Sequence, residues 1–91
     1  MGAVVDVALL RDQSRADDAD DALLELYHDA AVAWIERRTG APLVANGPAD
    51  LRMLILLLVA EFYRNREAGE LSADVERSAM LTLRPHLPLT A

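Results

Sequence analysis

Pro48-Ala49-Asp50-Leu51-Arg52-Met53-Leu54-Ile55-Leu56-Leu57-Leu58-Val59-Ala60-Glu61-Phe62-Tyr63-Arg64-Asn65-Arg66 holds the densest apolar pattern in the chain. Leu51, Leu54, Ile55, Leu58, Val59 and Phe62 recur at three-and-four spacing, which places them on one face of an α-helix. Met53, Leu56, Leu57, Ala60 and Tyr63 cover much of the remaining circumference. Pro48 suits the first turn, where a missing N–H costs nothing. The spacing predicts a helix over about 48–66. A helix apolar nearly all round must be covered on most sides, and a 91-residue chain offers little cover. The surplus predicts that copies of the chain, or other partners, complete the burial. Met53 to Ala60 is the longest unbroken apolar run, bracketed by Arg52 and Glu61, and is far too short to cross a bilayer.

Upstream, Leu23, Leu24, Tyr27, Ala31, Trp34 and Ile35 share one face of a second helix, predicted over about 20–38. Arg37 and Arg38 fall in its last turn, where cations meet the negative end of the helix dipole. Gly40 supplies a left-handed cap and Pro42 prevents resumption. The acidic cluster Asp17-Asp18-Ala19-Asp20-Asp21 precedes this helix and reads as a set of capping carboxylates. Nearer the N-terminus, Asp6 caps a short helix over about 6–13, with Val7, Leu9 and Leu10 as its apolar side. Downstream, Ala68-Gly69-Glu70 closes the long helix. Ser72 caps a fourth over about 73–83, with Val75, Ala79, Met80 and Leu83 inward. Pro85 and Pro88 break regular structure, so 84–91 reads as an extended tail. The predicted fold class is all-α: a small helical bundle on two long antiparallel helices, flanked by two short ones. It forms one domain over 1–91, with its helical core at 5–83.

Composition narrows the function classes. Net charge is −6, which argues against gripping a nucleic-acid backbone, since phosphate contacts need clustered cations. All nine basic residues are Arg, and the apolar residues are mainly Leu, Ala and Val. That bias fits a GC-rich genome. There is no Cys, hence no disulfide framework and no thiolate metal site. No basic segment followed by an apolar core opens the sequence, so no signal peptide is expected.

Motifs that would carry chemistry are incomplete. Glu25-Leu26-Tyr27-His28 has the Glu-x-x-His spacing of di-iron bundles, but the second such pair and two facing Glu are missing, so it reads as a polar helix face. Counted as a calcium loop, the acidic cluster puts Ala22 or Leu23 where Gly is needed, and His28 or Asp29 where Glu is needed. Ser14, Ser72 and Ser78 have no neighbouring His in sequence. The four Gly residues are isolated and make no phosphate loop. The expectation is no enzyme, with no catalytic residues, no metal and no cofactor. Arg64, Arg66 and Glu67 close the long helix and suit dipole complementation or carboxylate clamping between subunits.

Two stretches carry a more specific resemblance. The first is Asp20-Asp21-Ala22-Leu23-Leu24, then Ala30-Ala31, then Trp34-Ile35-Glu36-Arg37-Arg38-Thr39-Gly40-Ala41-Pro42-Leu43. The second is Pro48-Ala49-Asp50-Leu51-Arg52, then Ile55-Leu56-Leu57-Leu58-Val59-Ala60, then Phe62-Tyr63-Arg64-Asn65-Arg66-Glu67-Ala68. In order and spacing they resemble the two long helices of the head–tail connector (adaptor) proteins of long-tailed phages. That family also serves in gene transfer agents and prophages. The short leading helix is a looser counterpart, and Ala79 to Pro85 departs from the family's usual end.

The resemblance implies a structural subunit made in the bacterial cytoplasm and incorporated in a virion or phage-like particle. It implies a ring, usually a dodecamer, between the portal protein and a head–tail stopper or tail-completion protein. Double-stranded DNA would pass through the lumen without specific binding, and no membrane is involved. The residues expected at subunit or partner contacts are Arg37, Arg38, Arg64, Arg66 and Glu67 at the helix ends, with Arg84, His86, Leu87 and Leu89 in the tail. The competing reading is a small helical regulatory or interaction module, antitoxin-like or an adaptor dimer.

Overall fold

A computed structural model describes residues 4–44, 47–65 and 71–87. Among these the chain forms α1 (Val7–Ser14), a 3-10 turn (Asp18–Asp20), α2 (Asp21–Thr39), α3 (Ala49–Arg64), α4 (Ala73–Leu83) and a second 3-10 turn (Arg84–His86), with no strand.

Local chemistry accounts for most of the boundaries. Asp6 accepts the Ala8 N–H at the start of α1, and Ser72 accepts the Val75 N–H at the start of α4. Each satisfies a donor that the first helical turn leaves free. Helix α2 ends on Gly40 at φ 73°, whose N–H reaches the Glu36 carbonyl at 2.8 Å. α1 ends in the same left-handed conformation, but on Arg15 at φ 56°. A residue with a Cβ is disfavoured there.

Four polar contacts fix the directions of the helices. Val5 donates its N–H to His28 Nε2 at 3.2 Å, while Arg11 grips Asp21 through Nε and Nη2 at 3.0 and 2.6 Å. The chain entering α1 therefore lies beside the middle of α2, and the end of α1 beside its start. Tyr63, late in α3, donates to Asp20 Oδ2 at 2.5 Å. His86 Nε2 lies 2.7 Å from Asp50 Oδ2, joining the end of α4 to the start of α3. Helices consecutive in sequence thus run antiparallel, which leaves α1 parallel to α3 where the two touch.

α3 touches α1, α2 and α4, and is the centre of the bundle. Its Leu54, Ile55, Leu58 and Val59 are buried with Leu24, Ala31 and Ile35 of α2, Leu10 of α1, and Ala79 and Leu83 of α4. Tyr27 and Phe62 meet at the α2–α3 seam with ring centroids 5.8 Å apart. Each fully buried aliphatic side chain contributes roughly 1.5–3 kcal/mol.

Several expectations change. Leu9, assigned to the apolar side of α1, is 55% exposed, and Leu10 alone of that helix is buried. Two adjacent helical residues point about 100° apart, so one turn of contact cannot bury both. The expected carboxylate cap is missing at the cap position of α2 itself. Asp20 stands at the cap position without a side-chain cap bond, because Tyr63 takes its carboxylate and Arg11 takes that of Asp21. The chain after α4 does not become extended at Arg84. It makes the 3-10 turn Arg84–His86, with Pro85 in a first turn that needs no N–H and the His86–Asp50 contact holding it to α3. The close of the long helix at 66–70 and the end of the tail at 88–91 lie outside the described residues.

The two left-handed positions predict substitutions of opposite sign. Arg15→Gly should stabilise the fold by about 0.5–1 kcal/mol, and Gly40→Ala should destabilise it by about 1 kcal/mol. Urea unfolding followed by circular dichroism measures both.

Candidate assembly surface

With three neighbours around it, α3 has one side left. Met53 is 69% exposed and Leu57 39%, with Leu56 and Ala60 half-buried beside them. Met53 lies about 180° round the helix from Phe62, at roughly 100° per residue. Since Phe62 packs on Tyr27 of α2, the stripe faces away from α2. Exposed Asp50 stands near its start and exposed Arg64, bonded to Glu61, at its end, while Arg52 points about 100° round the helix from Met53. The apolar surplus expected of this helix is therefore present, but it is narrower than its composition implies.

A second surface lies between α1 and α2. The segment before α1 and the loop after α2 flank a groove of 780 Å³. Val4, Val7, Val32 and Leu43 line it with apolar surface, while Asp6, Glu25, Asp29 and Glu36 supply carboxylates. Glu36 Oε2 accepts the Leu43 N–H at 2.7 Å, which folds the loop back along α2.

The helix-end residues separate into distinct environments. Arg37 is exposed. Arg38 is turned onto its own helix: its guanidinium lies 3.7 Å over the Trp34 ring and donates to the Trp34 carbonyl at 3.1 Å. Arg64 bonds Glu61, and Asn65 Nδ2 donates to the same carboxylate at 2.7 Å. Arg84 is exposed at the start of the final turn, His86 is held by Asp50, and Leu87 packs against the core edge. Arg66, Glu67 and Leu89 lie outside the described residues.

Two buried polar residues escape a reading based on hydropathy. Glu61 is only 2% exposed, its charge met by Arg64 and Asn65 one turn on. A buried carboxylate needs such partners, and the i, i+3 and i, i+4 spacing to Arg64 and Asn65 was the available signal. His28 is 5% exposed, which corrects the polar-face reading of Glu25-Leu26-Tyr27-His28. Glu25 faces outward, but His28 continues the core register of Leu24, Ala31 and Ile35 and accepts the Val5 N–H. Its Nδ1 lies 3.1 Å from Asp29 Oδ1. Among the described residues no group of three or more His, Cys, Asp or Glu is placed to hold a metal ion. No helix among them is long and apolar enough to cross a membrane.

The fold and its surfaces define a small all-α packing module, with polar groups spent on joining helices and apolar side chains left facing outward. A family model described as phage gp6-like head–tail connector protein matches residues 16–91, from the end of α1 onward. The chain belongs to that family of phage structural proteins. No curated protein and no solved structure matches it.

Two carboxylates give the fold an acid-sensitive component. The hydrogen bond and charge of Arg11 hold Asp21 below the ordinary carboxylate range, and His86 does the same for Asp50. A depressed folded value means that each contributes stability above the unfolded pKa of about 3.9, and loses it as pH falls through the folded value. Asp21→Asn should therefore lower Tm by a few degrees at pH 7. The difference should narrow below about pH 4 and vanish once the carboxyl is protonated in both states. Thermal melts of the two proteins across that range test it.

Proposed function

We propose that the chain is one subunit of a head–tail connector ring, set between the portal and the stopper or tail-completion protein of a phage or phage-like particle. The family match over residues 16–91 carries this reading. The exposed stripe on α3 supports it, because apolar side chains left uncovered in a small domain call for neighbours. A dodecamer is the stoichiometry proposed. Net charge of −6 suits a wall that DNA slides past, since like charges keep the duplex from sticking.

In this reading the helix-end residues Arg37, Arg38, Arg64, Arg66 and Glu67 contribute polar contacts between subunits. Arg84, His86, Leu87 and Leu89 contribute contacts to the portal or stopper. Arg37 and Arg84 are exposed and available for carboxylate partners. Arg38 and Arg64 act while already oriented by Trp34 and Glu61.

The test is co-expression with a portal protein from the same genome, followed by native mass spectrometry and electron microscopy of the purified complex. Closed rings bound to the portal are the expected product. A fixed dimer at every concentration, with or without the portal, would replace this reading by the regulatory-module one. Arg37→Glu should reduce ring-bearing complexes at least five-fold while leaving helix content by circular dichroism unchanged. Full assembly of that variant removes Arg37 from the interface.

A further inference from the structure

We propose that His28 is a pH-sensitive latch: taking up a proton releases Val5, and with it the segment leading into α1, from α2. This goes beyond the connector reading and does not rest on it, since the latched segment lies ahead of the stretch 16–91 that the family model matches.

Both nitrogens of the ring are committed. Val5 donates its N–H to Nε2 at 3.2 Å, so Nε2 must carry a lone pair. The single proton of the neutral ring then sits on Nδ1 and is donated to Asp29 Oδ1 at 3.1 Å. A second proton has one place to go, Nε2, where it turns the acceptor into a donor facing the Val5 N–H. The bond is buried, with Val5 and His28 each 5% exposed. Water cannot replace the acceptor while the segment stays docked, and a buried N–H without a partner costs more than the bond contributed. When the proton arrives, either the ring or the Val5 backbone must move.

The surroundings decide that Val5 moves. Asp6 beside Val5, and Glu25, Asp29 and Glu36 on α2, line the same groove as His28, and no Arg among the described residues does. An imidazolium formed there has charge partners without leaving its place. α3 adds apolar side chains to the core around it, and its buried Glu61 is engaged by Arg64 and Asn65. Arg11 of α1 is engaged by Asp21. The Val5 side is the weakly anchored one. α1 has eight residues, and Leu10 is its one buried side chain. A helix of two turns does not persist unless docked. Docking of Val5 and protonation of Nε2 exclude each other, so the docked fraction falls as pH falls, with the docked-to-released ratio dropping by at most about ten-fold per pH unit. Release uncovers apolar surface of the cluster that Val5 and Leu10 otherwise close.

NMR of the whole chain between about pH 8 and pH 5, where an imidazole ordinarily changes charge, tests the latch. The His28 ring and the amide exchange of Val5, Leu10 and Leu58 are followed together. Protection of the Val5 and Leu10 amides, corrected for the intrinsic pH dependence of exchange, should fall by about five-fold or more in step with His28 protonation, while Leu58 in α3 stays protected. Asp21, held below the ordinary carboxylate range by Arg11, keeps its charge over this window, so loss of that ion pair does not mimic the effect. His28→Gln supplies an acceptor that does not titrate, and should make Val5 protection independent of pH. If that variant does not fold, the titration of the unaltered chain decides by itself. Val5 protection that survives full protonation of His28 overturns the proposal. So does a ring that stays neutral down to about pH 5, an equal pH response in the His28→Gln chain, or loss of protection at Leu58 together with Val5, which is global unfolding.

Discussion

The burial of α3 against three helices at once is the constraint on which the structure depends. Ile55, Leu58 and Val59 are fully enclosed, and each neighbouring helix contributes buried side chains to the same cluster. A short chain has little volume to surround, so one central helix must serve every other element. α1 and the final turn are too short to persist alone. Their positions follow from docking, reinforced by Arg11 on Asp21 and His86 on Asp50.

The same economy leaves the fourth side of α3 open. Three helices fill the arc from α4 through α2 to α1, and nothing among the described residues covers Met53 and Leu57. On the proposed reading of this phage head–tail connector family member, a neighbouring subunit or partner would supply the missing cover. On that reading, folding and assembly are two stages of one process: the first buries as much of α3 as the chain can reach, and the second would bury the remainder.

Polar side chains take part in the first stage more than their sequence positions suggest. Asp20 and Asp21 stand where a helix start invites capping, yet both are drawn into contacts with α3 and α1. Glu61 lies inside the bundle with its charge answered within one turn, and His28 fills a core position while accepting a backbone N–H from the segment before α1. In each case the side chain found a partner that folding brought close. Such partners are absent from a linear reading except where, as at Glu61, they sit three or four residues away.

The sequence by itself determined what depends on neighbours along the chain. Four helices, the Gly40 stop, the Asp6 and Ser72 starts and the core register of α3 all follow from spacing and capping within a few residues. The family resemblance was legible for the same reason, being carried by the two long helices and the turn between them. Tertiary structure alone decided which apolar residues lose the competition for cover. Leu9 lies outside although Leu10 is buried, and Met53 and Leu57 remain on the surface of the most apolar helix. It also turned the first residues after α4 back onto α3 through Asp50. Periodicity says which side chains share a face, but burial depends on how many faces the rest of the chain is long enough to cover.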